Sequence, residues 1–432
     1  MATMLEIEPI IEKFTMLFRG DTLTTFALQS GFVKRKPRKI DPRTFLVAFF
    51  ITVIQSGSSL TSLATTLGLL KRIRISKQAI DKRIGKPLIE FLQSVLGFTI
   101  ARKIHNCTST LASKFKRILV QDSSTIRLPS HLADEFPGSK NGVKDDIALL
   151  KVQALYDLLK EQFTVLLFTP FTTNDQKAAT TLLDYINEGD LLIRDLGYFV
   201  LSAFSVLSSK GAYFITRLRY GIVLSDQVTG ERLNLLKLLN KHQKLDLQVV
   251  LGTVEKVTVR LIALPVDPAI ADERRRKLKA NRDRRLNPSK EHLALLGWNI
   301  FVLNIDDQTL TPEEVAQLYG LRWRIEIIFK AWKSNFSFAA VPRASAVRVQ
   351  TYVYAFFIFI TLFQTFIFSQ TYNSNNHTNE KQLSLLKFSR FFKEQFWAIV
   401  LYMLRPAVLY DQIRFFVISS GWKSLVNRHL CG

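Results

Sequence analysis

The stretch FKRILVQDSSTIRLP, residues 115–129, decides the fold. Its first half is apolar, between a basic flank and an acid, and reads as a short strand that ends at Asp122. Outward from it, ALLKVQALYDLL (148–159) and QFTVLLFTPF (162–171) read as two further strands. NDQKAATTLLDYINEG (174–189) reads as a helix capped by Asn174 or Asp175. DLLIRDLGYF (190–199) is a short strand ending at Asp195, and GAYFITRLR (211–219) is a strand again. Strands interleaved with helices in this way predict a mixed α/β core.

Residues 220 to about 305 read as an insertion. LDLQVVLGTVEKVTVRLIALPV (245–266) alternates well enough for two or three antiparallel strands. The run that follows holds Arg274, Arg275, Arg276, Lys277, Lys279, Arg282, Arg284, Arg285 and Lys290, and GWNIFVLNI (297–305) is a strand. Next comes TPEEVAQLYGLRWRIEIIFKAWKSNF (311–336), one helix with Thr311 as N-cap, Pro312 in its first turn and Glu314 completing a capping box. On a helix of about 3.6 residues per turn, Tyr319, Arg322, Glu326 and Lys333 fall within roughly 60° of arc. Leu318, Leu321, Ile325, Ile328, Phe329 and Trp332 form the opposing apolar stripe. Taken alone, that pattern is equally an exposed amphipathic helix with an Arg322–Glu326 pair worth tenths of a kcal/mol.

The flanks read as helical. RKPRKIDPRTFLVAFFITVIQ (35–55) enters an apolar helix with Asp41 as N-cap and Pro42 in the first turn. A short helix from about Ser59 reaches Gly68, and Ser76 caps another bearing Lys77, Gln78, Lys82 and Arg83. The pair reads equally as a loose helix-turn-helix or as a basic helical hairpin, because the connector exceeds the usual three to four residues. YVYAFFIFITLFQTFIF (352–368) is nearly all apolar but short for a membrane span of about 17–25 residues, so a buried core helix is expected and no membrane partner. No internal repeat is visible.

The chain has 432 residues, 47% of them hydrophobic, with 59 Lys and Arg against 36 Asp and Glu, a formal net charge of +23. An excess of that size implies a polyanionic partner, nucleic acid before any other. The two cysteines, Cys107 and Cys431, give neither a metal spacing nor a disulfide framework, which suits a reducing, cytoplasmic compartment. The acid-bearing start lacks the pattern of a secretory signal.

Asp122 and Asp195 at strand ends, with a helical Glu326, are the residue types that converge on hard cations in in-line phosphoryl transfer. Asp122 in LVQDSSTIRLP, Asp195 in LIRDLGYF, and Tyr319-x2-Arg322-x3-Glu326-x6-Lys333 together resemble the DDE transposases of bacterial insertion sequences. The resemblance is to the group marked by a Tyr–Arg–Glu–Lys signature, the insertion-sequence-four family, and spans roughly residues 115–340. It implies a ribonuclease-H-like catalytic core (113–220 and 306–342) with an inserted β-rich subdomain (221–305), between a basic helical DNA-binding region (1–112) and a helical C-terminal region (343–432). It implies Asp122, Asp195 and Glu326 as catalytic ligands of two Mg²⁺ or Mn²⁺ ions. It implies cleavage and strand transfer of double-stranded DNA, at the element's ends and at a target, by a nucleoid-associated bacterial homodimer.

Within that resemblance Tyr319, Arg322 and Lys333 hold phosphates, Arg217 contacts end phosphates and Trp298 stacks on a flipped base. Charge density assigns the 274–290 run to DNA outside the core. The sequence departs from the family at SSTIRLP after the first acid, where Gly and Thr are common, and at Leu196, where some relatives carry a basic residue. A related nuclease or a domesticated DNA-binding protein without joining activity is the alternative reading.

Overall fold

Burial alternates along the strands, and that alternation builds the molecule. In a computed structural model of the chain, the described residues are 20–35, 40–56, 59–101, 114–138, 147–159, 162–280, 288–335, 344–363 and 384–394. The first long strand, β1 (Arg117–Leu128), sends Ile118, Val120 and Ile126 into one apolar cluster and Leu119 into a second on the opposite face.

Before β1 come α1 (Gly20–Gln29), α2 (Pro42–Ile51), α3 (Leu60–Lys71), α4 (Lys77–Asp81) and α5 (Lys86–Ala101). Asp41 caps α2, accepting from the Thr44 amide at 2.8 Å, and Ser76 caps α4, as their sequences predict; Ser59, expected inside the start of α3, is its N-cap. Arg72 ends α3 in the left-handed conformation. The second helix of the expected helix-turn-helix is five residues long, shorter than the sequence suggests.

After β1 follow β2 (Ala148–Asp157), β3 (Gln162–Pro170), α6 (Asp175–Thr181), β4 (Asp190–Arg194), α7 (Leu201–Ser209) and β5 (Tyr213–Arg217). Then come β6 (Leu224–Asp226), α8 (Leu235–Lys241), β7 (Leu245–Leu251), β8 (Val257–Pro265), α9 (Pro268–Lys279), α10 (Lys290–Leu295) and β9 (Trp298–Leu303). The chain continues through α11 (Pro312–Gly320), α12 (Trp323–Asn335), α13 (Ala346–Leu362) and α14 (Leu385–Glu394).

Among the described residues the strands form a nine-stranded sheet in the order β3-β2-β1-β4-β5-β9-β8-β7-β6. β4 and β5 run parallel to β1, and the other neighbours are antiparallel. The fold is a mixed α/β sheet flanked by helices on both faces. The strands of 221–305 continue this sheet, because β9 pairs with β5, Ile215 opposite Leu303.

One face packs against α2, α5, α11, α12 and α13, the other against α7 and α8. α13 is buried nearly all round, with Phe357, Ile358, Phe359 and Ile360 fully covered. Its described part is therefore a core helix, and residues 364–368 of that apolar run lie outside the described residues. Among the described residues no helix is long and apolar enough to cross a membrane.

Candidate active site

Asp122 lies within β1 and does not end it. What stops there is the pairing with β4: the parallel register runs from Arg117↔Asp190 to Gln121↔Arg194. Asp122 and Asp195 are thus the next residues on two neighbouring parallel strands. β1 continues past Asp122 because β2 keeps pairing with it, Asp122 opposite Ala154. A strand end inferred from a fall in apolar residues misses this, since a pairing partner prolongs a strand through polar positions.

The single helix expected over 311–336 is two helices. Thr311, Pro312 and Glu314 form the expected capping box at the start of α11. At Gly320 the spiral tightens: the Leu321, Arg322 and Arg324 amides donate to carbonyls three residues back, at 3.0–3.1 Å. Glycine is a weak helix former, so the turn yields there. The break rotates α11 relative to α12. Tyr319 and Arg322, expected on a polar face, are buried at 6% and 7% exposure, whereas Lys333, on the same face of α12 as Glu326, is exposed.

Arg322 Nη1 donates to Glu326 Oε1 at 2.5 Å. Burial works against the Arg322 charge, but Asp195, Tyr319 and Glu326 more than offset it and raise its pKa. Asp122 is pushed up to about 6, first by desolvation; the Ser123 amide and Arg322 pull it down, and Glu326 and Asp195 raise it further. The Tyr319 phenol rises to about 12, mainly through burial and then Asp195. Mutual influence of this kind brings Asp122, Asp195, Glu326, Arg322 and Tyr319 into one electrostatic neighbourhood.

The donor chemistry suits a hard divalent ion: three carboxylates and no sulfur. Among the described residues, no group of three or more His, Cys, Asp and Glu side chains stands ready to hold a metal ion. The Glu326 carboxylate is occupied by Arg322. The fit is therefore one of ligand type and neighbourhood.

The raised Asp122 carboxyl gives a pH-dependent expectation for metal-free protein. Its folded pKa lies above the ordinary 3.8, so its share of stability is present at low pH and disappears as pH rises through about 6. Asp122→Asn, which cannot ionise, should stabilise the metal-free fold by roughly 3 kcal/mol at pH 8 and by little near pH 4. Calorimetry in EDTA measures both, and an equal gain at the two pH values contradicts the assignment.

Arg217 closes β5 on the same face. Its guanidinium lies 5.6 Å from the Tyr319 ring centroid, and its Nη2 donates to Asn299 Oδ1 at 2.9 Å. Arg274 of α9 donates to that same oxygen, also at 2.9 Å. Its pKa is lowered by desolvation and then by Arg217. Two guanidinia sharing one amide oxygen are under-neutralised, and an anionic oxygen would satisfy both.

The basic run is expected outside the core, yet its first residue meets Arg217 beside Tyr319. Of the rest, Arg275 pairs with Asp272 and Lys277 with Glu273, while Arg276 and Lys279 are exposed. Arg282, Arg284 and Arg285 lie outside the described residues. Trp298 is not brought to the acids: it packs partly against the cluster on the α7–α8 face, with Ile300 and Val302. Sequence reasoning misses Asn299; its neighbour Trp298 draws attention, and alternation alone places Asn299 on the opposite face.

Residues 113–362 match the family model for the transposase DDE domain. The transposase for insertion sequence element IS231B of Bacillus thuringiensis subsp. berliner is 29% identical over 386 residues, 84% of this chain and 80% of its own. The transposase for IS231C of the same subspecies is 28% identical over 434 residues, 95% of this chain and 88% of its own. The transposase for IS1151 of Clostridium perfringens is 26% identical over 399 residues, 86% and 82% of the two chains. The piggyBac transposase synaptic complex with hairpin DNA aligns at a TM-score of 0.45 and 10% identity, covering 100% of this chain and 87% of that one. The family model spans more than half of the chain, from just before β1 to the end of α13: the chain belongs to the transposase DDE-domain family and is an enzyme of DNA transposition.

Proposed function

We propose that the chain is the cut-and-paste transposase of an insertion sequence, cleaving double-stranded DNA at its own element's ends and joining them to a target. Asp122, Asp195 and Glu326 are the catalytic carboxylates and the ligands of two Mg²⁺ or Mn²⁺ ions. The observation that carries this is the placement of Asp122 and Asp195 one step beyond the end of a parallel ladder, with Glu326 in their field. The strand order β3-β2-β1-β4-β5, with β4 and β5 parallel to β1, supports a ribonuclease-H-like core over 113–220 and 306–342. In this reading the strands of 221–305 are the family's insertion, residues 1–112 bind DNA, and 343–432 form the C-terminal region. The spacing Tyr319, Arg322, Glu326, Lys333 supports membership of the Tyr–Arg–Glu–Lys group.

Bound divalent ions would neutralise charge at the scissile phosphate and lower the pKa of an attacking oxygen. The chain's own residues do the rest. Arg322 releases Glu326 and turns its charge to DNA, and Arg217 and Arg274 hold a phosphate between them. Lys333 holds another, and Tyr319, its phenol kept protonated, donates a hydrogen bond. Trp298, on the opposite face of the sheet from the acids, stacks on a base displaced away from the reacting phosphate. In hydrolysis, water oxygen bonds to phosphorus and the 3′-oxygen leaves with a proton. In joining, that 3′-hydroxyl gives up its proton as its oxygen bonds to a target phosphorus, and the target strand's own 3′-oxygen leaves and takes up a proton. Each protomer of a homodimer, cytoplasmic and on the bacterial nucleoid, holds one end.

The test is incubation of the protein with its own element's ends and Mg²⁺. Specific nicks at the termini are expected, and none from active, DNA-bound protein would refute the reading. A separate expectation concerns α9. Neutralising Arg276, Lys277 and Lys279 together should weaken binding to every sequence and flatten the slope of log affinity against log salt by about 0.9 for each phosphate no longer neutralised. An unchanged slope would make this face a solvated surface.

A further inference from the structure

The register between β1 and β4 ends at Gln121↔Arg194, so Asp122 and Asp195 stand one residue beyond the last paired positions. Asp122 is held by β2, and Asp195 leads into a 3₁₀ turn (Leu196–Tyr198) closed by the Tyr198 amide on the Asp195 carbonyl at 3.0 Å. Side chains add a second tie between that turn and β1.

Helix α6 supplies the tie. Asn174 caps it, accepting from the Lys177 amide at 2.8 Å, which frees Asp175 to turn toward the sheet. Asp175 Oδ1 accepts from Ser123 Oγ at 3.2 Å, from Gln153 Nε2 at 2.9 Å and from Lys151 Nζ at 3.2 Å. Ser123 follows the first catalytic acid, and Gln153 is its register partner on β2. Gln153 Oε1 in turn accepts from the Tyr198 hydroxyl at 2.7 Å. Gly197 brings the same turn against Asp175: a Cβ there would stand 3.5 Å from Asp175 Oδ2.

The other end of α6 is tied to the residues preceding the two acids. Gln121 Nε2 donates to the Ala178 carbonyl at 3.2 Å, and the buried Arg194 donates through Nη2 to the Ala179 carbonyl at 2.7 Å. Alternation along β1 puts Gln121 and Ser123 on the face opposite Asp122. One helix therefore grips the positions flanking both catalytic acids from behind the sheet.

We propose that Asp175 is a positioning residue for the Asp122–Asp195 pair, acting through Ser123 on one side and through Gln153 and Tyr198 on the other. It touches neither DNA nor the reacting atoms; it sets the separation at which two carboxylates present themselves to a divalent ion. The proposal rests on the reading of Asp122 and Asp195 as metal ligands, and its test includes one arm that does not.

Asp175→Asn and Tyr198→Phe are compared with the parent as full-length protein. Both variants are expected to bind end DNA within about twofold of the parent, to cleave about 10–100-fold more slowly at saturating protein, and to bind Mn²⁺ about tenfold more weakly by electron paramagnetic resonance. The double variant should be little more impaired than the worse single one, because both act through one network. Hydrogen exchange of the metal-free protein forms the independent arm: the 195–199 segment should exchange faster in Asp175→Asn. Normal cleavage and Mn²⁺ affinity in both variants overturns the proposal. So does a cleavage defect that follows an equal fall in DNA binding and thermal stability, and so does unchanged exchange at 195–199. A parent that neither binds Mn²⁺ nor cleaves sinks the two-metal reading instead, and the exchange arm still decides whether Asp175 orders the turn.

Discussion

Asp122→Asn, Asp195→Asn and Glu326→Gln are each expected to slow end cleavage by at least about 10³-fold while leaving end binding within a few fold, because a metal site contributes several kcal/mol of charge stabilisation to the transition state alone. In the proposed reading affinity rests on phosphate contacts from Arg and Lys, of which only Arg322 is bonded to one of these three residues. Single-turnover cleavage at saturating protein, beside gel-shift affinity, separates the two. Cleavage within tenfold of the parent removes that residue from the site. Glu326→Gln differs from the others in one respect: it also weakens the charge that holds Arg322. If Arg322 serves DNA once released, this variant should bind ends slightly tighter than the aspartate variants do.

Arg260→Ala is expected to cost about 2–3 kcal/mol of stability, the scale of losing hydrogen bonds from a charged group that leave buried carbonyls unpaired. Arg260, on β8, is 3% exposed and donates from Nε and Nη2 to both oxygens of Asp246, each at 2.7 Å. Its Nη1 donates to the carbonyls of Asp306 at 2.9 Å and Leu310 at 2.8 Å, in the loop that leads to α11. One guanidinium thus ties β7 and β8 to the approach of the helices that carry Tyr319, Arg322 and Glu326. Against a total stability of roughly 5–15 kcal/mol, a deficit of that size lowers the melting temperature markedly. Chemical denaturation of Arg260→Ala measures it, and a change below about 1 kcal/mol contradicts the bonding described. Arg260→Lys should rescue only part, since an ammonium cannot serve the carboxylate and the carbonyls in one plane.

The strands were legible because alternation and apolar runs are written locally, and so were the caps at Asp41, Ser76 and Thr311. What sequence could not convey was decided by partners. β1 runs through Asp122 because β2 pairs with it there. The helix through Gly320 breaks although its apolar spacing is continuous, and the break buries Tyr319 and Arg322. Arg274 reads as one charge among many in its run, and only the return of β9 puts it beside Arg217. Asp175 reads as a cap candidate, and once Asn174 takes the cap its carboxylate becomes a hub. The candidate acids themselves were visible from their spacing and surroundings; their shared field and the Arg322–Glu326 pair are properties of the folded chain.

The pairing of β5 with β9 also sets an order of events during synthesis. Until residues 298–303 are made and folded back, β5 has one unsatisfied edge, a row of free amides and carbonyls that invites another chain. Closing that edge requires the whole intervening segment to find its place first, a non-local pairing of the kind that slows folding. A ribosome that stops within the insertion therefore releases a sticky half-sheet carrying Asp122 and Asp195 but not Glu326. Truncated copies of the gene should yield aggregating fragments with no nicking activity.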